Sequence, residues 1–369
     1  MGTPSALGTS AEIVPGLFDK LKKIDTSDKL LADISSAYPQ AQLQQLGTSV
    51  NGKPINALKV STAGGAYRPS VFVNCAHHSN ELITPEYCFQ IINDLLGTPE
   101  GHNSIGYFDF WIVPFVNVDK VSRTNANGVN LNRNYAFKWS EPSAKTSANP
   151  SSGNYKGPSP FSEPETAAIR DLFNKIHFTF AISVHATSTK IVYGYTSPNT
   201  VDPNPHFQKA FAKVMQTNAK LRLSSGGKYK LRKMVYPVSG ADQDWYQAEH
   251  GSIAILVEAP SYSGYADARD VVKGYMPGFW ATLEHYKSLP KLRVKVVNSA
   301  GAPVIAKVMA QELIYSNGEE FHTDPIHGVR EIVFLQPGTY NIDVEKSGTT
   351  KTFSVAVGPG VQDHLVTFT

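Results

Sequence analysis

Val71-Phe-Val-Asn-Cys-Ala-His-His-Ser-Asn-Glu-Leu-Ile-Thr-Pro-Glu86 decides the fold. Its first residues are apolar and largely β-branched, the pattern of a short strand covered on both faces. Thr84 is placed to cap a helix and Pro85 suits the first helical position. That helix buries Cys88, Ile91, Ile92, Leu95 and Leu96 and stops at Gly97. His78 and Glu81 therefore sit in the turn between a buried strand and a helix. An imidazole nitrogen and a carboxylate oxygen are ligand types that a catalytic zinc accepts, and a third protein ligand leaves the fourth position to water. The spacing alone carries little weight in a chain with 11 histidines, so support has to come from the other strand ends.

Similar apolar runs at 108–116, 178–184 and 253–257, with helical patterns between most of them, predict a mixed, mainly parallel central sheet with helices on both faces. In such α/β folds ligands collect beyond the carboxyl ends of the strands. The residues there are Asn117 and Asp119, His185, and Glu258. His185 is the candidate third ligand. His77 is read as a neighbour whose side chain points away from that of His78. Glu258 lies inside Ile255-Leu-Val-Glu-Ala259, where an unpaired charge is costly, and reads as a general base with a raised pKa. A loop holding Arg123 and Arg133 follows the 108–116 strand. A planar guanidinium is suited to grip a carboxylate or steady an oxyanion.

Elsewhere, 16–38 predicts one or two amphipathic helices. Residues 45–61 predict a hairpin turning at Asn51-Gly52 and forming one margin of the sheet. A Ser/Pro/Asn-rich loop spans 138–154, Ser162-Glu-Pro-Glu165 reads as a capping box, and a last helix covers about 275–287. From Lys291 the pattern changes to short alternating strands and turns, a small all-β sandwich. The division is thus an N-terminal extension (1–15), a catalytic domain (16–288) and a β-sandwich (291–369). Cys75 and Cys88 read as buried small apolar residues, and their pairing is left open. The net charge of +3 is too small to indicate nucleic acid or an anionic membrane as a partner. No apolar run is long enough to span a bilayer, and the opening residues lack a leader pattern, as in a mature or trimmed chain.

Seven motifs occur in order: Gly47-x-Ser-x-x-Gly-x-Pro-Ile55; His78-x-x-Glu81; Arg123 with Gly128 and Leu-Asn-Arg-Asn134; Tyr155-Lys-Gly-Pro-x-Pro-Phe-Ser-Glu-Pro-Glu-Thr166; Ser183-Val-His185; Tyr236 with Gln243-Asp-Trp245; and the Glu258 strand. Over residues 16–287 this series resembles the zinc metallocarboxypeptidase family typified by pancreatic carboxypeptidase A. The tail resembles the transthyretin-like domain of the family's carboxypeptidase N/E branch. The resemblance implies one zinc ion on His78, Glu81 and His185, with Glu258 as general base and acid and Arg123 stabilising the oxyanion. It implies that Asn132, Arg133 and Tyr236 hold the substrate's terminal carboxylate, and that Gln243, Asp242 and Thr196 shape the pocket for the last side chain. Asp242 adds negative charge there if it points inward. Two departures stand out: Asn117-Val-Asp-Lys120 replaces the family's Asn-Pro-Asp-Gly, and Asn130 stands where the family has an aspartate behind the first zinc histidine. The implied substrates are peptide or protein C-termini, with cell-wall stem peptides releasing diaminopimelate or a D-residue as the alternative. A third reading is a non-catalytic carboxypeptidase-like binding protein. The implied location is secreted or periplasmic, the leader having been removed.

Overall fold

The computed structural model describes residues 12–62 and 64–369, so most of the expected N-terminal extension lies outside the described residues. Helix α1 (Ile24–Ala37) precedes a hairpin of β1 (Ala41–Thr48) and β2 (Pro54–Val60). Strand β3 (Ser70–Cys75) leads through the His78–Glu81 turn into α2 (Thr84–Gly97), followed by α3 (Pro99–Ile105) and β4 (Asp109–Val113). Then come α4 (Pro164–Phe173), β5 (Phe178–Ala186), β6 (Lys190–Val192), α5 (Phe207–Asn218) and β7 (Lys230–Arg232). Helix α6 (Asp242–His250), β8 (Ile253–Ala259) and α7 (Tyr265–Ser288) complete this part. The eight strands form one sheet in the order β1-β2-β4-β3-β5-β8-β6-β7. Its central strands β4, β3, β5 and β8 are parallel, and the hairpin is the margin.

The pleat decides which helices cover which face. Adjacent residues of β3 point to opposite sides: Asn74 bonds to Tyr246 of α6, whereas Cys75 is joined to Cys88 of α2. The two helices therefore lie on opposite faces. Phe72, on the same side as Asn74, packs with Phe173 of α4 and with Phe178 and Tyr246.

Several sequence expectations change. Cys75 and Cys88 are disulfide-bonded, with Cα atoms 6.6 Å apart; the strand–helix turn returns the chain to bonding distance, which the residue pattern did not reveal. Thr84 is not the cap of α2: its hydroxyl donates to Glu81 O and accepts from Ala76 N, bracing the turn. The capping box is absent because Glu165 accepts from Asn125 in the neighbouring loop. In 16–38, where one or two helices were expected, one forms, α1, and 15–20 are turns and bends. Helix α7 starts well before 275 and runs through Gly274, Pro277 and Gly278.

Strands β9 (Lys291–Asn298), β10 (Lys307–Ala310), β11 (Val329–Val333), β12 (Gly338–Lys346), β13 (Thr349–Val357) and β14 (Val361–Phe368) form two three-stranded sheets, β10-β12-β13 and β11-β9-β14. They enclose a separate core that includes Leu292, Val294, Val308, Ile342, Val344 and Phe368. Strand β14 was not expected; it pairs in parallel with β9.

Candidate active site

Sheet register brings the chemistry together. His185 of β5 and Glu258 of β8 are direct partners across a parallel pair, so their side chains leave the same face side by side. The turn after β3, the adjacent strand, supplies His78 and Glu81. His78 Nδ1 lies 2.9 Å from Glu81 Oε1, and His185 Nδ1 lies 3.3 Å from Glu81 Oε2. The three ligand atoms are within 4.8 Å of one another. Glu81 is fixed further by accepting Ala186 N at 2.9 Å. Burial raises the Glu81 carboxyl, but hydrogen bonds from His185 and His78 outweigh it and hold the group well below the usual carboxylate range. Burial pulls the His78 imidazole down; it acts on His185 too, but there the Glu81 hydrogen bond wins and the ring is raised.

Two imidazole nitrogens and one carboxylate converging on a point are the donor set of a catalytic zinc. The outer nitrogens test the fit. His78 Nε2 faces Asn130 Oδ1 at 2.9 Å, an acceptor that suits a ring ligating through Nδ1. Asn130 Nδ2 in turn donates to Gly153 O at 3.0 Å, a bond that an aspartate could not make; the departure from the family residue thus has a local reason. His185 Nε2 accepts from Asn132 Nδ2 at 3.0 Å. A ligand on Nδ1 moves the ring proton to Nε2, so ligation by His185 requires the Asn132 amide to turn, giving up the bond that its Oδ1 accepts from Asp242 N at 2.9 Å. With that one adjustment the residues fit zinc.

His78, Glu81, Arg123, Asn132, Arg133, His185, Thr196, Tyr236, Gln243 and Glu258 line one cleft of about 70 Å³. Burial raises the Glu258 carboxyl. Arg133 is 2% exposed; its Nε donates to Lys145 O, its Nη1 to Asn132 O, and its buried Nη2 has no acceptor among the described residues. The Tyr236 ring centre is 5.9 Å from this guanidinium. Val192, Val238, Ala241 and Leu256 give the same cleft an apolar lining beside Gln243. Gln243 Nε2 donates to Gly194 O at 3.0 Å, leaving Oε1 buried and unpaired. The Thr196 hydroxyl donates to Asp244.

Asp242 does not add charge to this cleft. Fully buried at the start of α6, it accepts from Ser183 Oγ at 2.6 Å and Gln243 N at 2.7 Å and lies 3.8 Å from His77 Nδ1. Asp119 is also turned away from the site, accepting Ser49 Oγ and Asn51 N of the hairpin. His77 does point away from His78, but into a polar layer that sequence reasoning missed. Its Nε2 is 2.7 Å from Tyr135 Oη and its Nδ1 is 3.3 Å from Asn74 Nδ2, while its ring stacks on His185 at 5.8 Å. His77, His185 and Asp242 also bring ligand-type atoms together, but these hydrogen bonds already engage His77 and Asp242, and the cluster serves as the floor of the site. Polar Ser183 and His185 at alternate positions of an apolar strand were the available signal.

Residues 28–273 match the family model described as zinc carboxypeptidase. Carboxypeptidase B of Rattus norvegicus is 27% identical over 255 residues, covering 62% of this chain and 60% of the relative; the chain therefore matches only about three fifths of that relative's length. Two crystal structures share the fold: thrombin activatable fibrinolysis inhibitor (22% identity, TM-score 0.67, 75% of this chain and 77% of the other) and carboxypeptidase A from Helicoverpa armigera (23%, TM-score 0.66, 76% of each). Because the family model spans well over half of its residues, the chain belongs to the zinc carboxypeptidase family.

Proposed function

We propose that the chain is a zinc-dependent metallocarboxypeptidase that removes the last residue of a peptide or protein. The observation that carries this reading is the buried, unpaired Arg133 Nη2 in the same cleft as the His78, Glu81 and His185 ligand set and the raised carboxyl of Glu258. A guanidinium N–H without an acceptor in a buried site is suited to a carboxylate, and a peptide's C-terminus supplies one.

His78 Nδ1, Glu81 and His185 Nδ1 would hold the ion, and a zinc there would polarise the scissile carbonyl and acidify water. Glu258 accepts a proton from the attacking water and delivers it to the departing amine. Arg123 neutralises charge growing on the carbonyl oxygen. Asn132, Arg133 and Tyr236 fix the terminal carboxylate, so the bond that reaches Glu258 is the last one in the substrate. Gln243 Oε1, unpaired in a cleft also lined by Val192, Val238, Ala241 and Leu256, favours a terminal side chain with an apolar stem and an N–H donor at its tip. In this reading 16–288 is the catalytic domain and 291–369 a transthyretin-like domain. The disulfide supports an extracellular or periplasmic location. Among the described residues no helix is long and apolar enough to cross a membrane.

Glu258→Gln tests the reading. Loss of about 10²–10⁴-fold in kcat with zinc stoichiometry retained is expected. Turnover at the parental rate would refute the role of Glu258.

A further inference from the structure

The family match ends at residue 273, yet the β-rich region beyond it grips both parts of the pocket wall. The first grip is on the segment that carries Thr196. Tyr195 Oη donates to Glu319 Oε1 at 2.8 Å, and Asn317 holds Glu319 through its backbone N and Nδ2, both at 2.7 Å. Asn317 exchanges two hydrogen bonds with the Val201 backbone, and Asn204 exchanges two with Ile314. The chain from 195 to 204 is thus seamed to 314–319. Tyr195 is fully buried and stacks on Phe137 at 5.2 Å. The next two residues, Thr196 and Ser197, donate through backbone and hydroxyl groups to Asp244, the neighbour of Gln243 in α6.

The second grip is at the other end of α6. Arg330 of β11 is 6% exposed; its Nη1 donates to His250 O at 3.0 Å and to His177 Nε2, and its Nη2 to Gly251 O at 3.4 Å. It caps the carbonyl end of a helix whose second residue, Gln243, lines the pocket. Gly251, at φ +63°, leaves the guanidinium no competing Cβ. A nine-residue helix is only about 13 Å long, so displacement at one end is transmitted to the other.

We propose that the β-rich region sets the terminal-residue pocket: Glu319, through Tyr195, and Arg330, through the C-terminal end of α6, are positioning residues for Thr196 and Gln243. The proposal rests on reading that cleft as the site of the substrate's last side chain. Neither residue reaches the cleft, so their effect is on which side chain fits there.

The test uses the full zinc-loaded chain and N-blocked dipeptides that differ only in the terminal residue. Tyr195→Phe keeps the ring on Phe137 and removes the hydroxyl; Glu319→Gln replaces the carboxylate with an amide among three donors. Both are expected to narrow the spread of kcat/KM across the panel about fivefold, through KM of the best substrate, with kcat within about twofold and zinc content unchanged. The exposed α7 variant Glu284→Gln is expected to leave the spread as it is. Folded, zinc-loaded Tyr195→Phe and Glu319→Gln with the parental spread would overturn the proposal. Absence of turnover in the parent chain would instead count against the carboxypeptidase reading. In that event hydrogen exchange of 194–204 and α6 decides: faster exchange in Tyr195→Phe supports the coupling, and unchanged exchange overturns it.

Discussion

Replacing Cys75 and Cys88 together by alanine is expected to lower the unfolding free energy by about 3 kcal/mol. The bond joins residues 13 apart, and closing an unfolded loop of that size costs about 3 kcal/mol of chain entropy at 25 °C. Both positions are fully buried, so the small voids left by alanine add to the loss. The intervening turn carries His78 and Glu81, but it has its own braces: Glu81 N to His78 O and Thr84 N to Glu81 O, each 3.0 Å, and Ala76 N to Thr84 Oγ1 at 3.1 Å. Zinc affinity is therefore expected to stay within about threefold, because the bond acts mainly on the unfolded chain. The assay is urea unfolding of the parent and the double variant, with and without saturating zinc, alongside zinc titration against a competing chelator. A stability loss below about 0.5 kcal/mol would refute the entropic estimate. A loss of zinc affinity beyond about tenfold would show that the disulfide, not the backbone bonds, shapes the turn.

Asn130→Ala removes the acceptor behind His78 and is expected to weaken zinc binding by about 10–100-fold in chelator competition; unchanged affinity would contradict the orienting role. Arg123→Ala is expected to lower kcat by about 10²–10³-fold with KM little changed, as loss of an oxyanion contact does; an effect confined to KM would assign Arg123 to substrate binding. His250, packed on Trp245 and Phe173, has its imidazole pushed down to about 3 by burial and by Arg330 and His322. Its folded value lies below the unfolded 6.5, so acid favours the unfolded chain: the contribution is complete above pH 6.5 and drains as pH falls. That amounts to about 2 kcal/mol between pH 7 and 5. His250→Gln is expected to remove this slope from the pH dependence of unfolding, and a variant with the parental slope would contradict it.

The central sheet was legible because β3, β4, β5 and β8 are continuous apolar runs covered on both faces, and their order along the chain puts polar residues at one edge. His78, Glu81, His185 and Glu258 follow from that pattern with register added, since His185 and Glu258 prove to be direct cross-strand partners. Asp242 was misplaced because only the start of α6 and its bond to Ser183 determine which way that carboxylate turns. The last helix was expected only from about 275, so the first part of α7, from Tyr265 onward, was missed. A Cβ on Gly274 would lie 2.7 Å from the backbone of Arg222, and one on Gly278 would lie 2.5 Å from Met215 O, so these glycines mark close packing of a continuing helix. Glu319 and Arg330 carried no signal: Tyr195, His177 and the His250 and Gly251 carbonyls that they hold are more than 70 residues away in sequence, and only the assembled fold brings them together.

The measurement that bears most directly on the central claim is release of free amino acids from a mixed panel of peptides and cell-wall stem peptides, read by mass spectrometry with and without a zinc chelator. Loss of single C-terminal residues that stops on chelation and returns with added zinc is the expected result. Its distribution over the panel would name the preferred terminal side chain and separate ordinary peptides from cell-wall substrates. No release from any substrate by protein shown to hold one zinc ion would contradict the carboxypeptidase reading and favour a binding protein built on the same fold.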